Sequence, residues 1–364
     1  MLLKEIISVI ESFAPLRYQE SYDNSGLQVG DVNMDVRTAL LSLDVTEEVI
    51  AEAIEKKADL IITHHPLLFT GLKKITGNSY IERCILQLVK NNIALYSAHT
   101  NLDSVVAGVN GKICEKLGVV NSKVLSPVEG ELRKLVTFVP VDHIEKVRSA
   151  IFDAGAGVIG KYDCCSFNIE GTGTFKGSDE TNPFVGERGQ LHFEKEVRIE
   201  TIFPKAIQKK VLQSLLKAHP YEEVAYDIYP LDNAFEKTGM GMIGSLPNPM
   251  NVIEFFNKVK ELFGVKVIRH SKIHREKIDR IAVCGGSGSF LISKAIHQGA
   301  DVFLTGEIKY HQFFDAENKI ILVDIGHFES EQFTLEIFYE LLTKNLSKFA
   351  VHFSKINSNP VNYY

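Results

Sequence analysis

The chain has 364 residues, 45% hydrophobic and 24% charged, enough for two or three domains with well-buried cores. Its net charge of -6 argues against a broad basic footprint for nucleic acid, and no apolar run approaches the ~20 residues a membrane helix needs. Five cysteines, at 84, 114, 164, 165 and 284, form no C-x-x-C pair, and their odd count points to reduced thiols in the cytoplasm.

Residues 2–13 read as an amphipathic helix rather than a signal peptide, with Leu2, Ile6, Val9, Ile10 and Phe13 on one face and Pro15 after its end. Residues 22–30 are rich in turn formers and read as a loop. A strand at 37–43 ends at Asp44, and Thr46 caps a helix to about Lys57 with Glu47 and Glu48 in its first turn. The apolar run 58–63 then predicts a buried strand that delivers His64 and His65 at its C-terminal edge, ahead of Pro66. Ligands bind at that edge in open α/β sheets. Adjacent side chains on extended backbone diverge, which suits two neighbouring metal ions better than one. A helix at 79–91 leads to a strand at 93–97 that ends in His99-Thr100-Asn101-Leu102-Asp103.

The middle of the chain changes pattern. A strand at 133–139, a helix from Asp142 to about Ala154, a strand at 162–170, a Gly-rich loop at 171–190, a strand at 194–203, a helix at 204–218 and a strand at 223–229 give the ferredoxin-like order β-α-β-β-α-β. Linkers at 126–130 and 232–236 make residues 131–232 a domain inserted into an α/β core of 1–128 and 235–364. Within it, Cys164 and Cys165 read as inert strand residues, and His219-Pro220-Tyr221-Glu222-Glu223 as a helix-ending turn.

The last third repeats the first. A strand at 278–284 runs into Gly285-Gly286-Ser287-Gly288-Ser289, which is either a tight strand-to-helix turn or a phosphate cradle, although it lacks both a Walker Lys and the G-x-G-x-x-G spacing. A helix at 289–298 follows, and a strand at 301–305 ends in Thr305-Gly306-Glu307, with Tyr310 and His311 on a short helix. A strand at 319–324 ends before His327 and Glu331, and a long helix runs to about Leu346. Residues 52–63 align without gaps on 294–305, an offset of 242, and His99-x-x-x-Asp103 falls on His327-x-x-x-Glu331 at an offset of 228. The fold class is therefore α/β, with two related β/α halves whose strand ends converge on one cleft, interrupted by a ferredoxin-like α+β insert.

Each candidate ligand has an ordinary explanation alone: a surface histidine, a helical His-Glu pair, an Asp closing a turn. Together, His64, His65, Asp103, His327 and Glu331 come from three strand ends of one core, and His327 and Glu331 share a helix face. Mixed imidazole and carboxylate donors suit zinc, iron(II), manganese or cobalt. Two such ions with open positions activate water, so the expected chemistry is hydrolysis. Asp44, His99, Glu307 and His311 read as supports for the ligands, with Glu307 and His311 also suited to general acid/base work.

The segments Tyr22-Asp23-Asn24-Ser25-Gly26-Leu27-Gln28-Val29-Gly30, Thr63-His64-His65-Pro66, His99-Thr100-Asn101-Leu102-Asp103, Thr305-Gly306-Glu307 and Gly326-His327-Phe328-Glu329-Ser330-Glu331 make the chain resemble the GTP cyclohydrolase I type 2 homologue family, dinuclear-metal proteins also named after a yeast NGG-interacting factor. The resemblance covers nearly the whole chain. It implies that His64, His65, Asp103, His327 and Glu331 ligate two divalent ions, zinc foremost, and that the protein forms a toroidal homohexamer with its metal sites facing an interior cavity. It also implies that the insert is similar to PII and CutA proteins. Tyr22 stands where many members have Trp. The expected function is a dinuclear-metal-dependent hydrolase in which metal-activated water attacks a nucleotide-like substrate such as GTP, with Glu307 or His311 moving protons. The alternative is a non-catalytic metal-binding ring whose PII-like insert senses a small molecule or gates the cavity.

Overall fold

A computed structural model describes residues 1–364. The chain divides into two compact units, Met1–Pro127 with Glu236–Tyr364, and Val128–Phe235.

The first unit holds two sheets. One runs in the order Gly26–Val29, Ala94–Ser97, Leu60–Thr63, Thr38–Ser42, Ala350–Phe353. The other runs Arg269–His270, Ile321–Asp324, Val302–Thr305, Lys277–Cys284, Phe235–Asn251, Val120–Val128. The central triplets are parallel and share one register: Leu41, Ile62 and Tyr96 lie abreast in the first sheet as Val283, Leu304 and Val323 do in the second. These six side chains belong to a single apolar cluster that also takes in Leu3, Ile6 and Phe338. The opposite faces are covered separately. Leu40, Ile61 and Leu95 pack with residues of helices Glu47–Glu55 and Tyr80–Lys90, and Ala282, Phe303 and Leu322 with those of Ile292–His297. Burial on both faces explains why these strands read as unbroken apolar runs.

The repeat has a structural cause. Asp59 Oδ2 accepts from the backbone N–H groups of Arg37 (2.8 Å) and Thr38 (3.2 Å), just where the neighbouring strand begins. Asp301 Oδ2 does the same for Asp279 (2.8 Å) and Arg280 (2.9 Å) in the second sheet. In both halves one carboxylate satisfies two amides and so sets the register of the adjoining strand.

Three expectations change. Part of the loop at 22–30 is an edge strand, Gly26–Val29, antiparallel to Ala94–Ser97; its few ordered residues are masked by flanking turn formers. The helix expected to run unbroken to Leu346 is two, His327–Glu331 and Thr334–Asn345. The core also contains helices Val109–Leu117 and Val252–Phe263 and the strands Val120–Val128 and Phe235–Asn251, none of them foreseen.

In the second unit the sheet order is Phe167–Lys176, Leu191–Pro204, Leu132–Pro140, Tyr226–Leu231, all antiparallel, which is the ferredoxin-like arrangement. Helices Ile144–Asp153 and Gln208–Ala218 close the core through Val147, Ile151, Val211 and Leu215. The hairpin is longer than expected because Gly171 and Gly173, read as loop, pair with Glu196 and Glu194. A Cβ on Gly173 would lie 2.2 Å from Glu196 Oε2, so that glycine is there to admit a neighbouring side chain. Cys164 and Cys165 precede the strand rather than lie in it, and both thiols are free.

Replacing Asp301 with Ala leaves the Asp279 and Arg280 amides without their carboxylate. The expected loss is about 1–3 kcal/mol of unfolding free energy, read by urea denaturation, with bound metal retained in the folded protein.

Candidate metal centre

The parallel register brings strand ends together. Thr63 lies beside Ser97, and Thr305 beside Asp324. Past Thr63 the chain turns, and Thr63 Oγ1 donates to the His65 carbonyl at 2.9 Å, holding the two histidines in place. His64 is fully buried, and its Nδ1–H donates to the Ala98 carbonyl at 2.9 Å. That bond puts a proton on Nδ1 and turns Nε2 toward the cluster. Nε2 lies 3.6 Å from Asp103 Oδ1 and 3.6 Å from Glu331 Oε1. Neither His64 Nε2 nor Asp103 Oδ1 has a hydrogen-bond partner, although both are buried.

His65 does not diverge from His64 as strand alternation predicts: the strand ends at Thr63, the two ring centroids lie 4.9 Å apart, and both rings face Glu331. His65 Nδ1 bonds Asp44 Oδ1 at 2.7 Å, and Ser358 Oγ donates to the other oxygen of Asp44 at 2.7 Å. Its Nε2 lies 2.9 Å from Glu331 Oε2 and 3.3 Å from His327 Nε2. His327 and Glu331, one helical turn apart, meet at 3.1 Å. The Nδ1 of His99 bonds Asp23 Oδ1 at 2.8 Å, and Asp23 in turn accepts from Ser25 Oγ at 2.9 Å and the Thr100 amide at 3.1 Å. Two trios could hold a metal ion: His64, His65 and His99, and His65, His327 and Glu331. Asp103 faces His64 beside them, and Glu331 reaches both His64 and His65.

The charges conflict without a cation. Burial and the neighbouring Glu331 carboxylate push Asp103 up to about 7. Burial would raise Glu331 too, but His64, His327 and His65 hold it well below the usual carboxylate range. Burial works against a charged His65, yet hydrogen bonds to Asp44 and Glu331 raise it to about 10. Two carboxylates and several imidazoles therefore share protons in a dry space, the setting a divalent ion resolves.

Glu307 lies at the rim, half exposed, with Oε2 3.7 Å from His327 Nδ1. His311 stands apart: it is exposed on the turn Tyr310–Ala316, with its ring edge-on to Tyr310 and no ion pair to the cluster. The Gly-rich loop is a turn and not a phosphate cradle. Its amides are spent inward, Gly285 on Asn110 Oδ1 (2.9 Å), Gly286 on Ser330 Oγ (2.9 Å) and Gly288 on Thr305 Oγ1 (3.0 Å). Gly286, at φ +61°, has a further duty, because a Cβ there would lie 2.2 Å from Glu331 Oε1. The roles of Asp23, Gly286 and Ser358 were not read from the sequence. Asp23 had a signal, its place in the Tyr-Asp-Asn-Ser-Gly segment; the other two had none.

The model of the family described as Duf34/NIF3 (NGG1p interacting factor 3) matches residues 1–360. A Bacillus subtilis (strain 168) protein named GTP cyclohydrolase 1 type 2 homolog is 41% identical over 366 residues, covering 99% of this chain and 98% of its own. The crystal structure of a Bacillus cereus protein related to NIF3 is 42% identical, with a TM-score of 0.85 over 100% of this chain and 99% of that one. A Staphylococcus aureus protein of known structure is 29% identical, with a TM-score of 0.80 and the same coverage.

Two outcomes follow for metal binding. Gly286→Ala pushes the Glu331 carboxylate out of place, so metal content by elemental analysis falls while far-UV circular dichroism stays unchanged. Binding a cation displaces protons from Asp103 and His65, so affinity rises with pH, by about tenfold per unit for each proton displaced. The rise continues above pH 7, where Asp103 is already ionised and His65 still holds its proton. Zinc titrations against a competing chelator at pH 6, 7 and 8 check this.

Proposed function

We propose, from the premise that the chain belongs to the Duf34/NIF3 family, that the strand-end cluster is a dinuclear, metal-dependent hydrolytic centre for a nucleotide-like substrate, with GTP the first to test. The observation that carries the reading is the pair of buried, unpartnered atoms, His64 Nε2 and Asp103 Oδ1, 3.6 Å apart and facing Glu331. A buried polar atom without a partner costs about 1–3 kcal/mol, and lone pairs converging on one space fit a cation. His64, His65, Asp103, His327 and Glu331 would hold the ions; zinc comes first, with iron(II), manganese and cobalt compatible with the same donors. Divalent ions supply Lewis acidity for hydrolysis at neutral pH.

The chain's own residues do the rest. Asp44 keeps the His65 proton on Nδ1 and turns Nε2 inward; Asp23 does the same for His99. Glu307, half exposed beside His327, is the group we assign to carry protons between the centre and solvent. His311, remote from these contacts, has no part in this scheme. The substrate class rests on the relatives' name, GTP cyclohydrolase 1 type 2 homolog.

A second reading, in which the chain is a metal-binding regulator whose insert senses a small molecule, is favoured by one observation. The insert contains a cavity of about 570 Å³ lined by Phe138, Phe175, Phe184, Tyr221, Glu196 and Arg198, among others. The loop at 177–190 and the His219–Glu223 segment meet there, joined by the Asn182 amide donating to Glu222 at 2.8 Å.

The test is turnover. Protein with its native metal identified is assayed against a nucleotide panel beside Glu331→Ala. Loss of an outer-shell partner alone typically costs ~10–100-fold in metal affinity or activity, so loss of this ligand should exceed that. No turnover above the Glu331→Ala level with any of the four metals defeats the hydrolytic proposal. Ligand-induced hydrogen-exchange protection confined to the insert, without turnover, supports the regulator instead.

A further inference from the structure

The turn-rich segment beside the centre does more than orient His99. Asn24 Nδ2 donates to the Leu68 carbonyl at 2.5 Å, and the Leu68 amide donates to Gln28 Oε1 at 3.0 Å. Gln28 Nε2 donates back to the Asn24 carbonyl at 2.6 Å. Both backbone polar groups of Leu68 are thus tied to side chains of one short segment. The residue after Leu68 is Phe69, and Tyr22 directly precedes Asp23. The network ties the backbone beside Phe69 to the segment that carries Tyr22, and the two rings lie with centroids 6.3 Å apart and planes at 49°. Phe69 also lies edge-on to His99, at 6.3 Å and 72°. Yet Tyr22 is 61% exposed and Phe69 46% exposed. Two large rings on tethered backbone, left open to solvent, with one of them edge-on to a histidine of the cluster, are not explained by core packing.

We propose that Tyr22 and Phe69 form a stacking platform for the planar heteroaromatic ring of a ligand whose polar end reaches the metal centre. The inference rests on the nucleotide-like reading above for its substrate class. Aromatic faces take any planar ring, because every base has a π-face. Asn24 Nδ2 is spent on the Leu68 carbonyl, and both ends of the Gln28 amide are spent on backbone, Oε1 on the Leu68 amide and Nε2 on the Asn24 carbonyl. The platform therefore selects for a flat ring and does not discriminate among bases.

The experiment measures binding, not turnover, by calorimetry on the full chain loaded with zinc. The probes are GTP, ATP, guanosine, ribose 5-phosphate and inorganic triphosphate. GTP and ATP are expected to bind within about threefold of each other and more tightly than triphosphate. Phe69→Leu and Tyr22→Leu should each weaken both nucleotides by about tenfold or more, with triphosphate affinity, zinc content and thermal midpoint unchanged. Tyr22→Trp should keep or tighten binding. The platform is overturned if no flat ligand binds more tightly than triphosphate, if Phe69→Leu leaves nucleotide affinity unchanged, or if GTP exceeds ATP by more than tenfold. Nucleotide binding of this pattern without hydrolysis removes the hydrolytic proposal and keeps the platform. Hydrolysis with unchanged binding in both Leu variants does the reverse.

Discussion

Asp103 and Glu331 are two buried carboxylates beside the imidazoles of His64, His65 and His327, and the hydrogen bonds among them leave His64 Nε2 and Asp103 Oδ1 without partners. Burial of His64, Asp103 and Glu331 weakens solvent screening between them, so the conflict is electrostatic and strong. The surroundings point to that conflict being wanted. Asp44 and the Ala98 carbonyl fix the imidazole tautomers, Ser358 secures Asp44, and Gly286 gives up its side chain so that Glu331 has somewhere to stand. A protein that needed only a stable core here would have filled the space with apolar groups.

The candidate ligands were legible in the sequence because they follow strand grammar. An apolar run that ends abruptly in His64-His65, or at His99, announces both a buried strand and what it delivers. Other parts were hidden for equally physical reasons. The strand Phe235–Asn251 carries Gly239, Gly241, Gly244, Pro247 and Pro249, which mask it as a strand. Those glycines are there for close approach: a Cβ on Gly239 would lie 2.1 Å from the Ser126 carbonyl, and one on Gly244 would lie 2.7 Å from the Val120 carbonyl. Gly286 and Ser358 act only through space, on residues far along the chain, and no local pattern marks them.

The two halves differ where the chemistry is. At the position matching His64, the second half has Gly306, where an added Cβ would lie 2.5 Å from Ser330 Oγ and 2.8 Å from the Gly326 carbonyl. No histidine fits there. The helix His327–Glu331 has moved against that strand end, and the space the first half gives to an imidazole is filled by the element that supplies the opposing ligands. Likeness in the strands and Asp59/Asp301 anchors, with unlikeness at the tips, is how one scaffold yields a lopsided centre.

The contact between His65 and Glu331 joins residues 266 positions apart. During synthesis at ~5–20 residues per second, the first donors leave the ribosome roughly 10–50 s before the last. In that interval His64, His65 and Asp103 are present without the carboxylate that closes the centre. On the proposal that the cluster holds a divalent ion, the choice of ion is a matter of timing as well as affinity: one captured early would meet half a cage, and only the second half would close it.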